Sequence, residues 1–454
     1  MNEYSRRASG RASLGIVAQQ MKRMKIWEMI EDKVVIKQKQ VKYRPSEKLK
    51  VAFINSLCGN KTIVSINRQL RPESGVWKLF GLKRCAEQST VSRTLAACDR
   101  GSVDGMRQAM GDILRRYSRA YQHGYGQRVQ VLDVDVSGLP SSGHGEAVEW
   151  GYCDQVGQVT RTRQLGRVLA THYGEMLVEQ LAPGRQQLGA LLHDLIHETE
   201  ALLDLDANRR HQTLIRMDSG GGDEADVNWL LGRDYLILTK MAGSQRAIKL
   251  ARQVPATAWL HDPRQPQRQL AWLPNGILYD RPTQQVVERR TSARDKSVHY
   301  SVLLTNAPLS LLAQLVPDPL PLSGDPQLLQ FAYAYDQRSG ALETFNRADK
   351  QAFGLHHPYT HAFYAQEILL LLAQLAHNLL IWIIRRLRPY LTSSLGLQCL
   401  LRDGLAISGL LYFDHHGQLA TLVLNALHPL ALPFLHAFHS EWSSLGLRLL
   451  LREF

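Results

Sequence analysis

Three acidic residues in this 454-residue chain have the types and settings for metal-assisted chemistry on phosphates: Asp135, Asp218 and Glu343. Asp135 sits in the Val-rich run RVQVLDVDVSGLP, and Asp218 closes TLIRMD, 83 residues later. Glu343 follows after another 125 residues. Three hard oxygen donors with open positions suit Mg²⁺ or Mn²⁺, which keep waters and bind substrate phosphates. Two such ions, ~3.5–4 Å apart, activate an attacking water or hydroxyl and stabilise the leaving oxygen. Acids at strand ends are common, so the pair of aspartates alone says little. The segment around Glu343, AYDQRSGALETFNRADKQAFGL, says more, because it adds Tyr335, Arg338 and Lys350. Glu343 and Lys350 are seven apart and share a helix face over two turns. Arg338 is five before Glu343, out of α-helical register, and Gly340 reads as the helix start. Cations there can hold the phosphates of a bound strand.

Elements must bring these distant residues together. RVQVLDVDVSGLP alternates like a strand, with Val129, Val131, Asp133 and Asp135 on one face. A helix is expected from about Gln187 to Asp204, a strand over Thr213–Asp218, a loop at Ser219–Gly222, a helix capped by Asp223, and a strand over Tyr235–Lys240. This βαβ rhythm implies a mostly parallel or mixed sheet, whose strand ends cluster at one edge. Residues 243–300 break it with short β-like runs (TAWL, QLAWLP, GILYD, QVVERR) and read as a β-rich insertion. The core pattern resumes at Val298–Leu304; a Pro-rich loop to about Pro326, the Glu343 helix and an apolar helix over 368–384 follow. Of the two aspartates in the first strand, Asp135 is nearer the strand's end and is preferred as the first ligand. Asp133 is left as a supporting carboxylate or a core hydrogen-bonding group.

Charge divides the chain. Residues 1–125 hold 25 Lys and Arg against 10 Asp and Glu, a net of +15. Residues 243–300 hold 10 against 4, and the remainder is acidic, 19 against 27. Two cationic regions flanking an acidic remainder suit a polyanion gripped at two places; the other reading of the basic block is a solvated surface. Within it, Pro45–Cys58 and Lys61–Leu70 have helical spacing. In Glu87–Cys98, Ser89 is a candidate N-cap, and Val91, Leu95 and Cys98 share a face. Exposed Thr90, Ser92 and Arg93 make this either a DNA-recognition helix or an ordinary packed one, with Lys83 and Arg84 as further candidate contacts.

The chain resembles the DDE transposases of bacterial insertion sequences, in the group with a Tyr-Arg-Glu-Lys signature. CAEQSTVSRTL, LDVDVSGLP, LIRMDSGGG, YDQRSGALETFNRADKQAFGL and LAHNLLIW carry the resemblance, over most of the chain. It implies an α/β fold: a ribonuclease-H-like catalytic core interrupted by a β-rich insertion, with a helical N-terminal DNA-binding domain. The expected divisions are 1–125 (DNA binding), 126–242 (first part of the core), 243–300 (insertion), 301–390 (second part of the core, with the Glu helix) and 391–454. The implied activity is binding of terminal inverted repeats, then metal-dependent cleavage and strand transfer into target DNA. Asp135, Asp218 and Glu343 would be the catalytic acids and ligands of two Mg²⁺ or Mn²⁺ ions. Tyr335, Arg338 and Lys350 would support them on the DNA. Trp272 in LAWLP would stack on a displaced base at the transposon end, the alternative for it being core packing. The implied partners are DNA and further copies of the chain, in the cytoplasm on the nucleoid. The signature usually has three residues between Arg and Glu; here there are four.

Other constellations fit less well. His193 and His197 in HDLIH mimic a zinc-protease motif, but Asp194 replaces its Glu. Gly220–Gly222 lacks phosphate-loop spacing and reads as a flexible turn, and His356-His357 and His415-His416 have no metal spacing. Five cysteines with no CxxC pair argue against a disulfide framework or zinc ribbon. The N-terminus lacks a signal-peptide apolar core. The 17 residues Ile368–Ile384, interrupted by Gln374, His377 and Asn378, read as a buried helix and not a membrane span, which needs ~20 apolar residues. The competing functions are a non-catalytic DNA-binding relic of a transposase and a metal-dependent nuclease on the same core; the presence of all three acids favours the transposase.

Overall fold

The computed structural model describes residues 4–38, 42–153, 156–316, 325–355 and 360–454; His356 and His357 and much of the Pro-rich loop before Pro326 lie outside them. In chain order the elements begin β1 (Ser5–Ser9), α1 (Leu14–Arg23), α2 (Ile26–Lys33), α3 (Pro45–Leu57), α4 (Ser74–Leu79), α5 (Gln88–Ala96) and α6 (Arg100–Tyr117). Then come β2 (Gln130–Pro140), β3 (Glu149–Cys153), β4 (Gln158–Ala170), β5 (Glu175–Pro183), α7 (Leu188–Leu203), α8 (Ala207–Arg210), β6 (Thr213–Arg216), α9 (Glu224–Gly232), β7 (Leu236–Lys240) and α10 (Ser244–Ala251). They continue with β8 (Leu260–His261), β9 (Arg268–Trp272), β10 (Gln284–Thr291), β11 (Val298–Thr305), α11 (Leu309–Gln314), α12 (Pro326–Arg338), α13 (Thr344–Ala352) and α14 (Phe363–Leu387). The last are α15 (Leu397–Arg402), β12 (Gly409–Phe413), β13 (Leu419–Asn425), α16 (Ala431–Ser444) and β14 (Arg448–Arg452). This is a mixed α/β fold.

The chain forms two compact units. Unit 1 takes Met1–Tyr117, Gly138–Arg163 and Asn346–Phe454; unit 2 takes Ser118–Ser137 and Gln164–Phe345. Unit 2 holds most of the large sheet, in the order β4-β2-β6-β7-β11-β10-β9-β8 with β5 paired to β4. β2, β6 and β7 run parallel, which the βαβ rhythm requires. The 243–300 region begins with α10 and then adds antiparallel strands: β10 pairs along the whole of β11, and β9 pairs β10. The insertion is thus a meander extending the core sheet, and GILYD is not a strand. Leu270, Val286 and Leu303 from these strands share one core cluster with Val131, Leu214 and Phe331.

Unit 1 is built around α14, which packs against α3, α5, α6, α15 and α16. It is long and apolar enough to cross a membrane, but 89% of its apolar window is buried. A second sheet, β1-β12-β13-β14, joins the first strand of the chain to three from beyond residue 408. The segment 1–125, expected to stand as its own domain, therefore shares its packing with 346–454. Within it α5 begins at Gln88, not at a Ser89 cap. The Glu87 cap makes no side-chain bond, and the Asn67 side-chain Oδ1 accepts from the Gln88 N–H at 3.1 Å. Val91, Leu95 and Cys98 are buried, as their spacing predicts.

Candidate active site

α12, α13 and the turn between them form one continuous helical run. Asp325 caps α12, its Oδ1 accepting from the N–H groups of Gln327 and Leu328 at 3.0 and 3.1 Å, with Pro326 in the first turn. Gly340 does not start a new helix. Residues Ser339–Glu343 form a π-helical turn, and the Thr344 hydroxyl donates to the Ser339 carbonyl five residues back. A single π turn absorbs one extra residue while the flanking helix continues. This is the physical reason the four-residue gap works: at i and i+5 in such a turn, Arg338 and Glu343 face each other, with Nη1 donating to Oε1 at 3.3 Å.

The same guanidinium reaches Asp135, 203 residues away, with Nη2 donating to Oδ1 at 2.7 Å. β2 and β6 set the second aspartate beside the first. Asp133 is the register partner of Arg216, so two positions further along the parallel chains stand Asp135 and Asp218. Asp218 closes the β6 segment by capping the next turn, its Oδ1 accepting from Gly220 N–H at 2.8 Å; among the described residues nothing pairs with its Oδ2. The glycine loop is packed, since a Cβ on Gly222 would lie 1.7 Å from the Lys240 carbonyl oxygen.

Asp133 points into the interior and is fully buried. Its Oδ1 accepts from Arg216 Nε at 2.6 Å, and its Oδ2 accepts from Arg216 Nη2 at 2.9 Å and Thr171 Oγ1 at 2.8 Å. Arg216 Nη1 also donates to the Ala334 carbonyl at 2.9 Å, tying α12 to the sheet one turn before Arg338. Burying this ion pair is tolerable because three hydrogen bonds, two of them from the paired guanidinium, meet its carboxylate. A second buried network ties α12 to the insertion: Arg268 pairs with Asp262 at 2.5 Å and Asp336 at 2.7 Å, and Tyr333 OH donates to Asp262 at 2.6 Å. Sequence reasoning missed Arg216, Arg268 and Asp262. The usable signal was an arginine at the edge of a mostly apolar strand, the end of TLIR and the start of RQLAW.

Electrostatics follow this packing. Burial works against the Arg338 charge, but Asp135, Tyr335, Asp218 and Asp133 outweigh it and push its pKa up. Burial, with Asp218 and Glu343 nearby, pushes the Tyr335 phenol well above its ordinary value despite the pull of Arg338. Asp135, Asp218 and Glu343 therefore converge on one cationic neighbourhood. Among the described residues, however, no three acidic, His or Cys side chains already form a metal-binding group.

The remaining expected residues fall in different settings. Lys83, Arg84 and Arg93 are exposed. Tyr335 and Lys350 are buried, and Asp349 beside Lys350 pairs with His377 Nδ1 of α14 at 2.9 Å. Trp272 is a packing residue here: its Nε1 donates to Asp325 at 2.7 Å and its ring meets Phe331 edge-on. His193 stacks on Trp229 at 3.9 Å and faces Asp226 at 3.4 Å, with His197 against the same ring, so HDLIH serves helix packing.

Comparison with known proteins supplies the family. No curated protein matches the chain. Among solved structures, the cryo-EM piggyBac transposase synaptic complex with hairpin DNA is similar at TM-score 0.46 and 12% identity, over 85% of this chain and 78% of that one. The family model described as transposase DDE domain, group 1, matches residues 6–398. Proteins of this family generally use divalent metal ions. By that match over most of its length, the chain belongs to the DDE-domain transposases.

Proposed function

We propose that the protein is the transposase of a bacterial insertion sequence, in the Tyr-Arg-Glu-Lys group, binding terminal inverted repeats and cutting and joining DNA with Asp135, Asp218 and Glu343. The observation that carries the reading is Arg338, which holds Asp135 of β2 and Glu343 of the π turn on one guanidinium. The parallel order β2-β6-β7, with acids where β2 and β6 run on, supports a ribonuclease-H-like core.

The donor set fits hard divalent ions such as Mg²⁺ or Mn²⁺, since it offers carboxylate oxygens alone and already accommodates a cation between two of them. When bound, two such ions would stabilise the attacking and leaving oxygens of phosphoryl transfer. The chain's own groups position the strand. Glu343 is half exposed and accessible to a substrate, whereas Asp135 is held rigidly inside the sheet. Arg338 and Lys350 would counter phosphate charge, and Lys83, Arg84 and Arg93 would grip the repeat through its backbone. The protein would act on nucleoid DNA in the cytoplasm, as a dimer or higher oligomer on paired ends.

The test uses full-length protein and DNA carrying the repeats that flank its reading frame. Asp135→Asn, Asp218→Asn and Glu343→Gln should each abolish Mg²⁺-dependent cleavage and strand transfer while end binding persists. Wild-type binding without any metal-dependent cleavage would instead make the chain a DNA-binding relic, and cleavage surviving all three changes would overturn the site.

A further inference from the structure

We propose that Arg338 is an internal counter-ion that locks the acid pair in the metal-free protein, so that divalent ions load in competition with it. The proposal rests on the transposase reading above and adds a control on the same site.

Three observations carry it. Arg338 uses both terminal nitrogens on the two acids, Nη2 on Asp135 and Nη1 on Glu343, so one side chain neutralises both. A cation taken up beside Asp135 Oδ1 or Glu343 Oε1 competes with the guanidinium for those oxygens, and two cations at one carboxylate pair repel. The guanidinium is also incompletely satisfied. It is about 5% exposed, yet its Nε is buried without a hydrogen-bond partner among the described residues. A stranded buried donor is a cost that only the paired carboxylates offset. The third observation is the π turn itself. It sets Arg338 against Glu343 at i, i+5, with the helical run continuing on both sides.

The balance is a simple exchange: two charge-assisted hydrogen bonds break, and the ion takes the same oxygens. Since such bonds are worth enough to shift an equilibrium by about tenfold or more, Arg338 should weaken ion binding by that factor.

Mn²⁺ binding measured by calorimetry on the full chain without DNA tests this. Arg338→Gln, checked for folding by circular dichroism, should bind Mn²⁺ about tenfold more tightly than wild type. Arg338→Lys, which keeps the charge and loses the fork, should fall between them and serves if the Gln variant does not fold. Asp135→Asn added to either variant should remove the tight binding. Equal or weaker Mn²⁺ binding by the Arg338 variants, with binding still lost on Asp135→Asn, overturns the lock and leaves the metal site standing. Mn²⁺ binding indifferent to Asp135→Asn in every background overturns both the lock and the metal-site assignment beneath it.

Discussion

Buried, paired arginine belongs mainly to unit 2: Arg167, Arg216 and Arg268 are almost wholly enclosed and paired with Glu179, Asp133 and Asp262, although Arg185, Arg246 and Arg294 of the same unit are exposed. Unit 1 mostly displays its arginines, with Arg84, Arg93, Arg100, Arg115 and Arg116 exposed, and Lys83 beside them, over an apolar helical core. Its fully buried exception, Arg163, is met by the carbonyls of Glu146 and His361 at 2.8 and 2.6 Å. The same residue type thus fixes geometry in one unit and offers charge to solvent in the other. A buried pair is a poor source of net stability but a strong penalty when halved, whereas an exposed cation contributes little until a polyanion arrives.

Halving a unit 2 pair is the severest challenge to this contrast. Asp133→Asn leaves Arg216 buried beside a neutral amide and should cost ~3–5 kcal/mol in urea unfolding, with cleavage lost only in proportion to unfolding. An unchanged unfolding midpoint would mean that the pair is not the anchor described. Asp133 and Asp135 thereby separate by readout: the first change is felt as stability, the second as lost catalysis in a folded protein.

In unit 1, Arg93→Ala, or Lys83→Ala with Arg84→Ala, should leave the melting temperature unchanged. Each lost phosphate contact should weaken DNA binding at all sequences and reduce the slope of log affinity against log salt by about one. An affinity change that ignores salt, or a loss of stability, would blur the contrast. Because 1–117 shares its unit with 346–454, the measurement belongs on the whole chain.

Two smaller effects sharpen the contrast around α12. Deleting Gly340 removes the extra residue of the π turn and brings Arg338 and Glu343 to i, i+4, where they still face each other. The variant should fold, gain roughly 1 kcal/mol from losing a helical glycine, and keep cleavage; total loss of cleavage would show that the π geometry itself is required. Trp272→Phe forfeits the hydrogen bond to Asp325 and should cost about 1 kcal/mol while DNA cleavage is unchanged. A cleavage defect at full stability would return Trp272 to the role of a base-stacking ring.

Much of this was legible in the residues. Alternation and βαβ spacing located β2, β6, β7 and α9, because each is a local pattern closed by a local signal; Asp223 does cap α9, accepting from Ala225 N–H at 3.0 Å. Apolar spacing likewise marked α14 as a buried helix. What escaped were properties fixed at a distance. The π turn replaced an expected helix start at Gly340 because glycine is tolerated within a helical run when packing on both sides holds it. The insertion read as a separate module, yet its strands continue the core sheet, since edge pairing depends on partners remote in sequence. Arg216 was invisible as an anchor because its acid, Asp133, lies 83 residues away; Arg268 has Asp262 close in sequence, but its tie to α12 through Asp336 spans 68 residues.

The pairing of β1 with β12 bears on when the protein becomes complete. Ser5–Ser9 waits for Gly409–Phe413, so a chain made from its N-terminus holds its basic segment for most of synthesis without the strand and the long helix that enclose it. All of unit 2 has been made by residue 345, while unit 1 must close a loop of some four hundred residues at a logarithmic entropic penalty. The acids of unit 2 therefore precede the finished cationic surface of unit 1 in time. A copy that stops before Gly409 would carry Asp135, Asp218 and Glu343 without the strand that β1 pairs with.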